Sequence, residues 1–265
     1  MTQQLKIGIV GLGLIGGSIE KRLALKSEQY ELLCVSRSQG KEYSLEDLAS
    51  TDIVFLCGEQ STIPGQLEEI AQIISKSGQE GSVDASERAF AKTIITDCAS
   101  TKELISSRAH ELGLENFIPG HPMAGTEKQG YEASFPELFE GAKWILANRN
   151  DKLEQVIAEL GAQLVLLDPE THDRAVAVTS HLPLVLSIAL ANLSNSYSPS
   201  QSTRGPGYAS MTRLAGGNAK LGREMISLNR ANIKDSWQVF KDEVDALLNI
   251  YGEELEAEIA MTASQ

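Results

Sequence analysis

The sequence predicts an α/β protein in which a doubly wound, mostly parallel sheet is followed by an all-α domain. Up to about Asp168, short apolar runs of strand length alternate with helical patterns, which is typical of βαβ units. After Asp168 the strand patterns stop, and leucine and alanine recur at helical spacing. The chain has 265 residues, enough for two domains with a core each. We therefore predict one domain over residues 1–168 and a second over residues 169–265.

The same patterns place the individual elements. Strands are predicted at residues 6–10, 32–35, 53–57, 93–96, 117–118, 144–147 and 163–167. Helices of the second domain are predicted at residues 169–194, 208–218 and 219–263. The Ser-, Pro- and Gly-rich residues 194–207 should form a surface loop, and the polar residues 75–88 a mobile connection.

Composition limits the class of protein and its compartment. A net charge of −13 disfavours nucleic-acid binding, and no apolar run approaches the length of a membrane span. The first residues, MTQQ, lack the basic and apolar regions of a secretory signal. Cys34, Cys57 and Cys98 have no C-x-x-C spacing, which predicts neither a disulfide framework nor a metal site. We expect a cytoplasmic protein that binds no metal, nucleic acid or membrane.

A glycine motif follows the first predicted strand. Gly11, Gly13 and Gly16 form G-x-G-x-x-G between the run KIGIV and a helical pattern. The first glycine allows a tight turn, the second lets the backbone approach a pyrophosphate, and the third lets helix and strand pack closely. The helix N-terminus adds N–H donors for the phosphates. This motif predicts a Rossmann-type dinucleotide-binding domain, and the predicted cofactor residues are Gly11, Gly13, Leu14, Ile15, Gly16, Ser36, Arg37, Ser38 and Cys57.

The end of the second strand indicates which dinucleotide is bound. Ser36 stands where an acidic residue would hydrogen-bond the ribose 2′-hydroxyl of NAD. Arg37 can stack on adenine and pair with a 2′-phosphate, and Ser38 adds a hydroxyl donor. The alternative is that Ser36-Arg37-Ser38 is an ordinary solvated turn. Given the glycine motif, we predict NADP.

Histidines in two motifs are candidates for acid–base chemistry. His121, in GHPMAGTEKQG, follows the strand at 117–118 and should emerge at the ligand side of the sheet. A histidine there can accept a proton near neutral pH, although an isolated histidine is often a packed structural residue. His172 and His181, in HDRAVAVTSHLP, lie at the start of the helical region, where a histidine is as often a helix-end hydrogen bonder as a site residue.

Five motifs together resemble the prephenate/arogenate dehydrogenase family of tyrosine biosynthesis. They are GLGLIGGS, DCASTK, GHPMAGTE, LDPETHDRAVAVTSHLP and MTRLAGGNAKLGREM, and the match spans nearly the whole chain. The segment TRLAGGNAKLG, the Ser-Arg-Ser turn and the absence of a fused mutase or regulatory domain look more like the NADP-dependent arogenate branch.

The resemblance implies an activity, a set of site residues and a partner. The expected reaction is oxidative decarboxylation of arogenate to tyrosine, with hydride transfer to NADP; the alternative is prephenate, giving 4-hydroxyphenylpyruvate. His121 would accept the hydroxyl proton, and Ser100 would orient the hydroxyl. Arg213 would bind a substrate carboxylate, His181 would be the second active-site histidine, and Glu127 an acidic gate residue. The family also implies a homodimer through the helical domain.

Two rival functions share parts of this pattern. Another β-hydroxyacid-type dehydrogenase would have the same two-domain plan but would carry a helical-domain lysine as its proton carrier. A non-catalytic NADP-sensing protein would keep the glycine motif and Arg37. It would have no reason to keep Ser100, His121 and Arg213 together.

Overall fold

The structure, a computed structural model, describes residues 4–79, 90 and 92–263. Most of the polar connection predicted at 75–88 therefore lies outside the described residues. The chain divides into two compact units. The first comprises Met1–Asp173 with Gly216–Leu228, and the second comprises Arg174–Ala215 with Asn229–Gln265. This division differs from the predicted domains at residues 169–173 and 216–228, which belong to the first unit.

The first unit is built on a six-stranded sheet. Its strands are β1 Leu5–Val10, β2 Tyr30–Ser36, β3 Lys41–Glu42, β4 Ile53–Leu56, β5 Ile94–Asp97 and β6 Phe117–Ile118. The order is β3-β2-β1-β4-β5-β6, and all neighbours pair in parallel except β3, which is antiparallel to β2. Every residue of β4 and β5 is buried, as expected for parallel strands covered on both faces. The predicted doubly wound, mostly parallel sheet is confirmed.

Helices cover both faces of this sheet. They are α1 Leu14–Ala24, α2 Ile63–Gln79 and α3 Glu103–Glu111. Alternate side chains of a strand enter separate cores: Ile53 and Phe55 pack in one cluster, and Val54 and Leu56 in the other. Two hydrophobic cores therefore lie on opposite faces of the sheet.

A second, three-stranded sheet completes the first unit. It contains β7 Gly120–Pro122, β8 Lys143–Leu146 and β9 Gln163–Leu166, and α4 Asp151–Glu159 connects β8 to β9. β7 is antiparallel to β8, and β9 is parallel to it. Trp144 of β8 is fully buried beside Phe139 and Phe55. The predictions missed β3 and β7 because strands of two or three residues rich in Gly, Pro or charge carry no apolar periodicity.

The residues after Asp168 are mostly helical. The elements are α5 Pro169–Val176, a π-helical turn Ala177–His181, α6 Leu182–Ser196, α7 Ser198–Gln201, α8 Pro206–Thr212, a 3₁₀ turn Arg213–Gly216, α9 Ala219–Leu228, α10 Arg230–Asn249 and α11 Gly252–Ala263. The predicted single helix at 219–263 is wrong, since it breaks after Leu228 and after Asn249. The second break continues into Gly252, whose φ of +60° is left-handed. The expected loop at 194–207 includes the one-turn helix α7.

One helical segment bears on the expectation of no membrane span. Among the described residues, Pro169–Ser196 is long and apolar enough to cross a membrane by length and composition, with a mean hydropathy of 1.7. The sequence expectation overlooked this segment because Thr179, Ser180 and His181 interrupt its apolar runs. Core helices of globular proteins have the same properties, so the absence of a membrane interaction stays a prediction.

Candidate active site

The glycine turn between β1 and α1 has the geometry that the motif predicts. Gly11 has a φ of +93°, and a Cβ on it would lie 2.8 Å from the backbone nitrogen of Gly58. A Cβ on Gly16 would lie 2.0 Å from the carbonyl oxygen of Gly11. The backbone N–H of Gly11 donates to Val35, at 2.9 Å. The fold itself therefore requires glycine at positions 11 and 16.

Gly13 differs from these two glycines. A Cβ on it would meet nothing within 4 Å among the described residues, so packing does not explain the glycine. Gly13 is the N-cap of α1, whose first turn begins with Leu14 and Ile15 and contains no acidic residue. An uncapped helix N-terminus presents N–H donors and the positive end of the helix dipole. This part of the turn therefore has the space and the donors for a phosphate group.

The Ser-Arg-Ser segment lies beside this turn. Ser36 ends β2, which pairs with β1, and it is 6% exposed. Its Oγ lies 3.2 Å from the Oγ of Ser38. Ser38 and the Arg37 side chain are exposed in the turn that leads to β3. The structure thus brings Ser36–Ser38 to the same edge of the sheet as the glycine turn.

Cys57 contacts the glycine turn from the next strand. It follows β4, and a Cβ on Gly16 would lie 3.1 Å from its Cβ. The Sγ atoms of Cys57 and Cys98 are 3.5 Å apart, and all three cysteines of the chain are free thiols. Burial, followed by the contact with Cys57, raises the pKa of the Cys98 thiol well above its usual value. Cys98 therefore stays protonated at neutral pH.

Ser100 lies in the loop between β5 and α3, and Gln60 holds that loop. The Oε1 atom of Gln60 accepts from the backbone N–H and the hydroxyl of Ser100, both at 2.9 Å, and from the N–H of Thr101 at 3.2 Å. Its amide donates to the Thr101 hydroxyl at 2.5 Å. Gln60 is 5% exposed and Ser100 is 6% exposed. A single buried amide therefore satisfies four polar groups of the loop.

A buried ion pair joins the Ser100 loop to the strand that carries His121. The ammonium of Lys102 binds the Asp97 carboxylate and donates to the carbonyl of Gly120 at 2.6 Å. Asp97 also accepts from the backbone N–H groups of Ala99 and Gly120, both at 3.1 Å. The ammonium is 2% exposed and the carboxylate 0%. This pair therefore holds the Ser100 loop and the strand of His121 in fixed relative positions.

His121 follows β6, as the sequence predicted, and it lies within the short strand β7, paired with Ile145 of β8. Its Nδ1 is 2.9 Å from the Nε2 of His172. The Nδ1 of His172 is 2.7 Å from a carboxylate oxygen of Asp173. Asp173 in turn accepts from the backbone N–H groups of Lys102 and Glu103, at the start of α3.

The three predicted substrate residues have separate positions. Glu127 is exposed in the loop after β7. Arg213 and His181 belong to the second unit, where Arg213 is exposed in a 3₁₀ turn. His181 is fully buried, and the amide of Asn229 donates to its Nδ1 at 3.0 Å. Their roles toward a substrate stay predictions.

Sequence reasoning missed several of these residues. Gln60, which begins the 3₁₀ turn Gln60–Thr62, had no signal, because a lone glutamine fits no motif. The pair Asp97–Lys102 lies within DCASTK, where two opposite charges five residues apart were a usable sign. Asp173 was visible beside His172 in HDR, but its contact with α3 depends on the fold. Among the described residues, no group of three or more potential metal ligands is present.

Comparison with known proteins identifies the family. The family model "Prephenate dehydrogenase, nucleotide-binding domain" matches residues 86–167, and "Prephenate dehydrogenase, dimerization domain" matches residues 168–261. The crystal structure of arogenate dehydrogenase from Synechocystis is 30% identical, with 98% of each chain covered and a TM-score of 0.80. The chain belongs to the prephenate dehydrogenase family.

Two curated members of the prephenate dehydrogenase family are similar over most of this chain. Prephenate dehydrogenase of Lactococcus lactis subsp. cremoris is 28% identical over 91% of this chain and 70% of its own length. Cyclohexadienyl dehydrogenase of Zymomonas mobilis is 27% identical over 86% of this chain and 82% of its own. A prephenate dehydrogenase from A. aeolicus, solved with hydroxyphenyl propionate and NAD+, shares the fold with a TM-score of 0.82 at 23% identity.

Membership of the prephenate dehydrogenase family establishes the general activity. The protein is an oxidoreductase of the prephenate, arogenate and cyclohexadienyl dehydrogenase group, which serves tyrosine biosynthesis. The matched regions meet between residues 167 and 168, next to the predicted domain boundary. The glycine turn at residues 11–16 precedes the first matched region.

Proposed function

We propose that the protein catalyses the NADP-dependent oxidative decarboxylation of arogenate to tyrosine. The observation that supports arogenate is the 30% identity to the Synechocystis arogenate dehydrogenase across 98% of both chains. Prephenate is the second candidate substrate, supported by the similarity to the prephenate dehydrogenase of Lactococcus lactis. The two compounds share the ring and differ in the side chain, so one site chemistry serves both.

The cofactor proposal rests on the edge of the sheet beside the glycine turn. The first turn of α1 and the open space at Gly13 would hold the pyrophosphate. Ser36 leaves no carboxylate to repel a 2′-phosphate, and the exposed Arg37 and Ser38 offer a guanidinium and a hydroxyl to bind one. When bound, the nicotinamide supplies the hydride acceptor. Cys57 would line the floor of the same site.

The proposed chemistry needs one proton acceptor and one orienting group. As the hydride leaves the ring carbon that bears the hydroxyl, the hydroxyl proton passes to His121. The ring carboxylate leaves as carbon dioxide, its bonding electrons complete the aromatic ring, and the phenolate oxygen that forms takes the proton back from His121. The Ser100 hydroxyl donates to Gln60, which leaves its oxygen as an acceptor that can orient the reacting groups. His121 and Ser100 are held by one network through Lys102 and Asp97.

Residues outside this network would bind the rest of the substrate. Arg213 is proposed to bind a carboxylate through its planar guanidinium. His181 and Glu127 are proposed to contact the substrate as second histidine and acidic gate. These three roles rest on the family resemblance. We also propose that the boundary between the cofactor-binding domain and the helical domain lies after Asp168.

A cytoplasmic homodimer is the proposed assembly. Helices of the second unit leave large apolar side chains exposed, including Val178 at 58%, Leu193 at 66% and Val239 at 63%. A groove of about 540 Å³ between α6 and α10 is lined by Val178, Leu186, Val239 and Phe240. The family model for this region describes a dimerization domain. A second copy of the chain covering these residues would remove the apolar surface from water.

The test is a matrix of two substrates and two cofactors. Purified protein is mixed with arogenate or prephenate and with NADP or NAD, and reduced cofactor is followed at 340 nm. The highest kcat/KM is expected for arogenate with NADP. A higher kcat/KM with prephenate would select the second candidate, and no turnover in any combination would refute the proposed function. His121→Asn serves as the inactive control, with kcat lower by about 10²–10⁴ and the fold retained by circular dichroism.

A further inference from the structure

The hydrogen bonds from His121 through His172 to Asp173 form a continuous chain inside the first unit. We propose that His172 and Asp173 are positioning residues that set the tautomer of His121 and stabilise the charge it acquires with the substrate proton. The inference rests on the proposed function, in which His121 accepts that proton. His172 itself does not touch the reacting atoms and acts through His121.

The series of hydrogen bonds starts at the Asp173 carboxylate, and both of its oxygens accept hydrogen bonds. Oδ1 of Asp173 accepts from the backbone N–H of Lys102 and from the ring of His172, both at 2.7 Å. Oδ2 accepts from the N–H of Glu103 at 3.0 Å. These N–H groups begin α3, where the helix dipole favours negative charge. Asp173 therefore acts as a carboxylate, and it accepts a hydrogen bond from His172 rather than donating one.

The carboxylate determines the tautomer of His172. Because Asp173 only accepts, the Nδ1 of His172 must carry a hydrogen. The neutral ring then has its lone pair on Nε2, which lies 2.9 Å from the Nδ1 of His121. Nε2 of His172 is thus an acceptor, and the Nδ1 of His121 is the donor.

The tautomer of His172 in turn determines that of His121. With its hydrogen on Nδ1, neutral His121 has its lone pair on Nε2, and Nε2 is the atom that takes the substrate hydroxyl proton. After the transfer, the Nδ1–H of the imidazolium still donates to His172, with the Asp173 carboxylate beyond it. The carboxylate of Asp173 is therefore the group that favours the protonated state.

A purely structural role for His172 and Asp173, the attachment of α5 to α3, would not need the contact between His172 and His121. The contacts of Asp173 with Lys102 and Glu103 already attach α5 to α3. The contact between His172 and His121 adds nothing to that attachment. The two rings meet edge to face, with centroids 5.1 Å apart and an interplanar angle of 70°. This arrangement points one nitrogen of His172 at His121 and the other at Asp173.

The first test reads the tautomers directly and does not depend on activity. The chain has four histidines, so ¹⁵N-histidine-labelled protein gives a small set of long-range ¹H–¹⁵N correlations that single substitutions assign. Neutral His121 and His172 are both expected to carry their hydrogen on Nδ1. A hydrogen on Nε2 of His121 in the wild-type protein would overturn the proposal, whether or not the protein turns over arogenate.

The second test uses the substrate and cofactor on which the wild type is active. His172→Phe should lower kcat by about 10- to 100-fold, as loss of an outer-shell partner of a functional histidine does, and the acid limb of the kcat profile should move to lower pH. KM should stay within about twofold, because His172 does not bind substrate. His172→Gln places an amide at the distance of Nε2 and should recover part of kcat. His110→Phe, which changes the exposed histidine of α3, is the matched control and should leave kcat and the acid limb unchanged.

The outcomes separate the possibilities. Equal kcat losses in His172→Phe and His172→Gln with an unmoved acid limb would overturn the proposal and assign His172 to the attachment of α5. If His172→Phe does not fold, the acid limb of His172→Gln and the histidine tautomers decide the question. Absence of wild-type turnover with either substrate would refute the proposed function, and the tautomers would still test the chain of hydrogen bonds.

Discussion

Gln60, the first residue of the 3₁₀ turn Gln60–Thr62 that precedes α2, holds the Ser100 loop through a single side chain, and its replacement should be unusually costly. Gln60→Leu keeps the approximate volume and removes the acceptor for the backbone N–H groups of Ser100 and Thr101. The Ser100 hydroxyl can rotate toward another acceptor, whereas the backbone groups cannot. At about 1–3 kcal/mol for each buried donor without an acceptor, the two N–H groups cost about 2–6 kcal/mol. The cost should lie near the lower end of that range, because the loop can shift and let the two N–H groups reach other acceptors.

The measurement is urea unfolding followed through Trp144. Trp144 is fully buried in the first unit, and Trp237 of the second unit is 44% exposed. A Trp237→Phe background therefore makes fluorescence report on the first unit. Gln60→Leu should lower the free energy of unfolding by at least about 2 kcal/mol, with the m-value unchanged.

A matched variant makes this prediction refutable. Gln72→Leu changes an exposed glutamine of α2 to the same residue and should shift the free energy by less than about 0.5 kcal/mol. Equal unfolding free energies for the two variants would refute the assignment of Gln60 as the acceptor for the loop. Because the loop carries Ser100, kcat of Gln60→Leu should also fall while cofactor affinity is kept.

The cofactor site, the buried ion pair and Asp52 give the remaining predictions. Arg37→Ala should weaken NADP binding about ten- to a hundredfold, since a charge-assisted hydrogen bond contributes about 1.5–3 kcal/mol, and Ser36→Asp should weaken it because the new carboxylate repels the 2′-phosphate. Calorimetric titration with NADP and NAD measures both effects, and equal losses for both cofactors would contradict the assignment. Lys102→Met should lower the free energy of unfolding by about 3–5 kcal/mol, because it leaves the Asp97 carboxylate buried and unpaired. Lys152→Met, which breaks a half-exposed pair with Asp52, should cost under about 1 kcal/mol, and similar costs for both would contradict the reasoning. Partial burial would raise the pKa of the Asp52 carboxyl, but hydrogen bonds from Lys152 and from the backbone N–H of Lys6 lower it overall. The contribution of the Asp52 carboxylate to the free energy of unfolding is therefore complete above the unfolded-state pKa of about 3.9. This contribution is lost as the pH falls through the lower folded-state pKa. Urea unfolding across that range should show the wild type converging on Asp52→Asn, and parallel curves would argue against it.

Local signals in the sequence were sufficient for the first sheet and the glycine turn. The apolar runs of β1, β4 and β5 are separated by helical patterns, so the existence of these strands follows from periodicity. Gly16 is required by its contact with Gly11 in the same βα unit, and Gly11 by its positive φ and by the backbone at Cys57 and Gly58 after β4; the sequence shows both glycines in one motif. Gly13 is the position at which packing gives no reason for glycine, and the motif had assigned it to the ligand.

The parts that could not be predicted depend on contacts between distant segments. His121 lies in β7 because Gly120–Pro122 pairs with β8, more than twenty residues later in the chain, and three residues carry no strand signal of their own. Gln60 reaches a loop forty residues away. The break after Leu228 follows from tertiary context, since residues 219–263 have helical periodicity throughout. Periodicity reports local structure, and these features are set by the completed fold.

The discontinuous first unit restricts how this protein can be recombined with its relatives. The chain passes between the two compact units after Asp173, after Ala215 and after Leu228. Within the first unit, Glu224 of α9 accepts a hydrogen bond from Ser61 at 2.6 Å, and Lys220 pairs with Glu59. A hybrid made by one crossover at residue 173 would combine the segment after β4 of this protein with α9 of the homologue. The contacts of Glu59 and Ser61, which flank Gln60, would then be made to a helix from another protein. Exchange of the helical unit between homologues therefore takes three crossovers, with residues 216–228 transferred together with the cofactor-binding half.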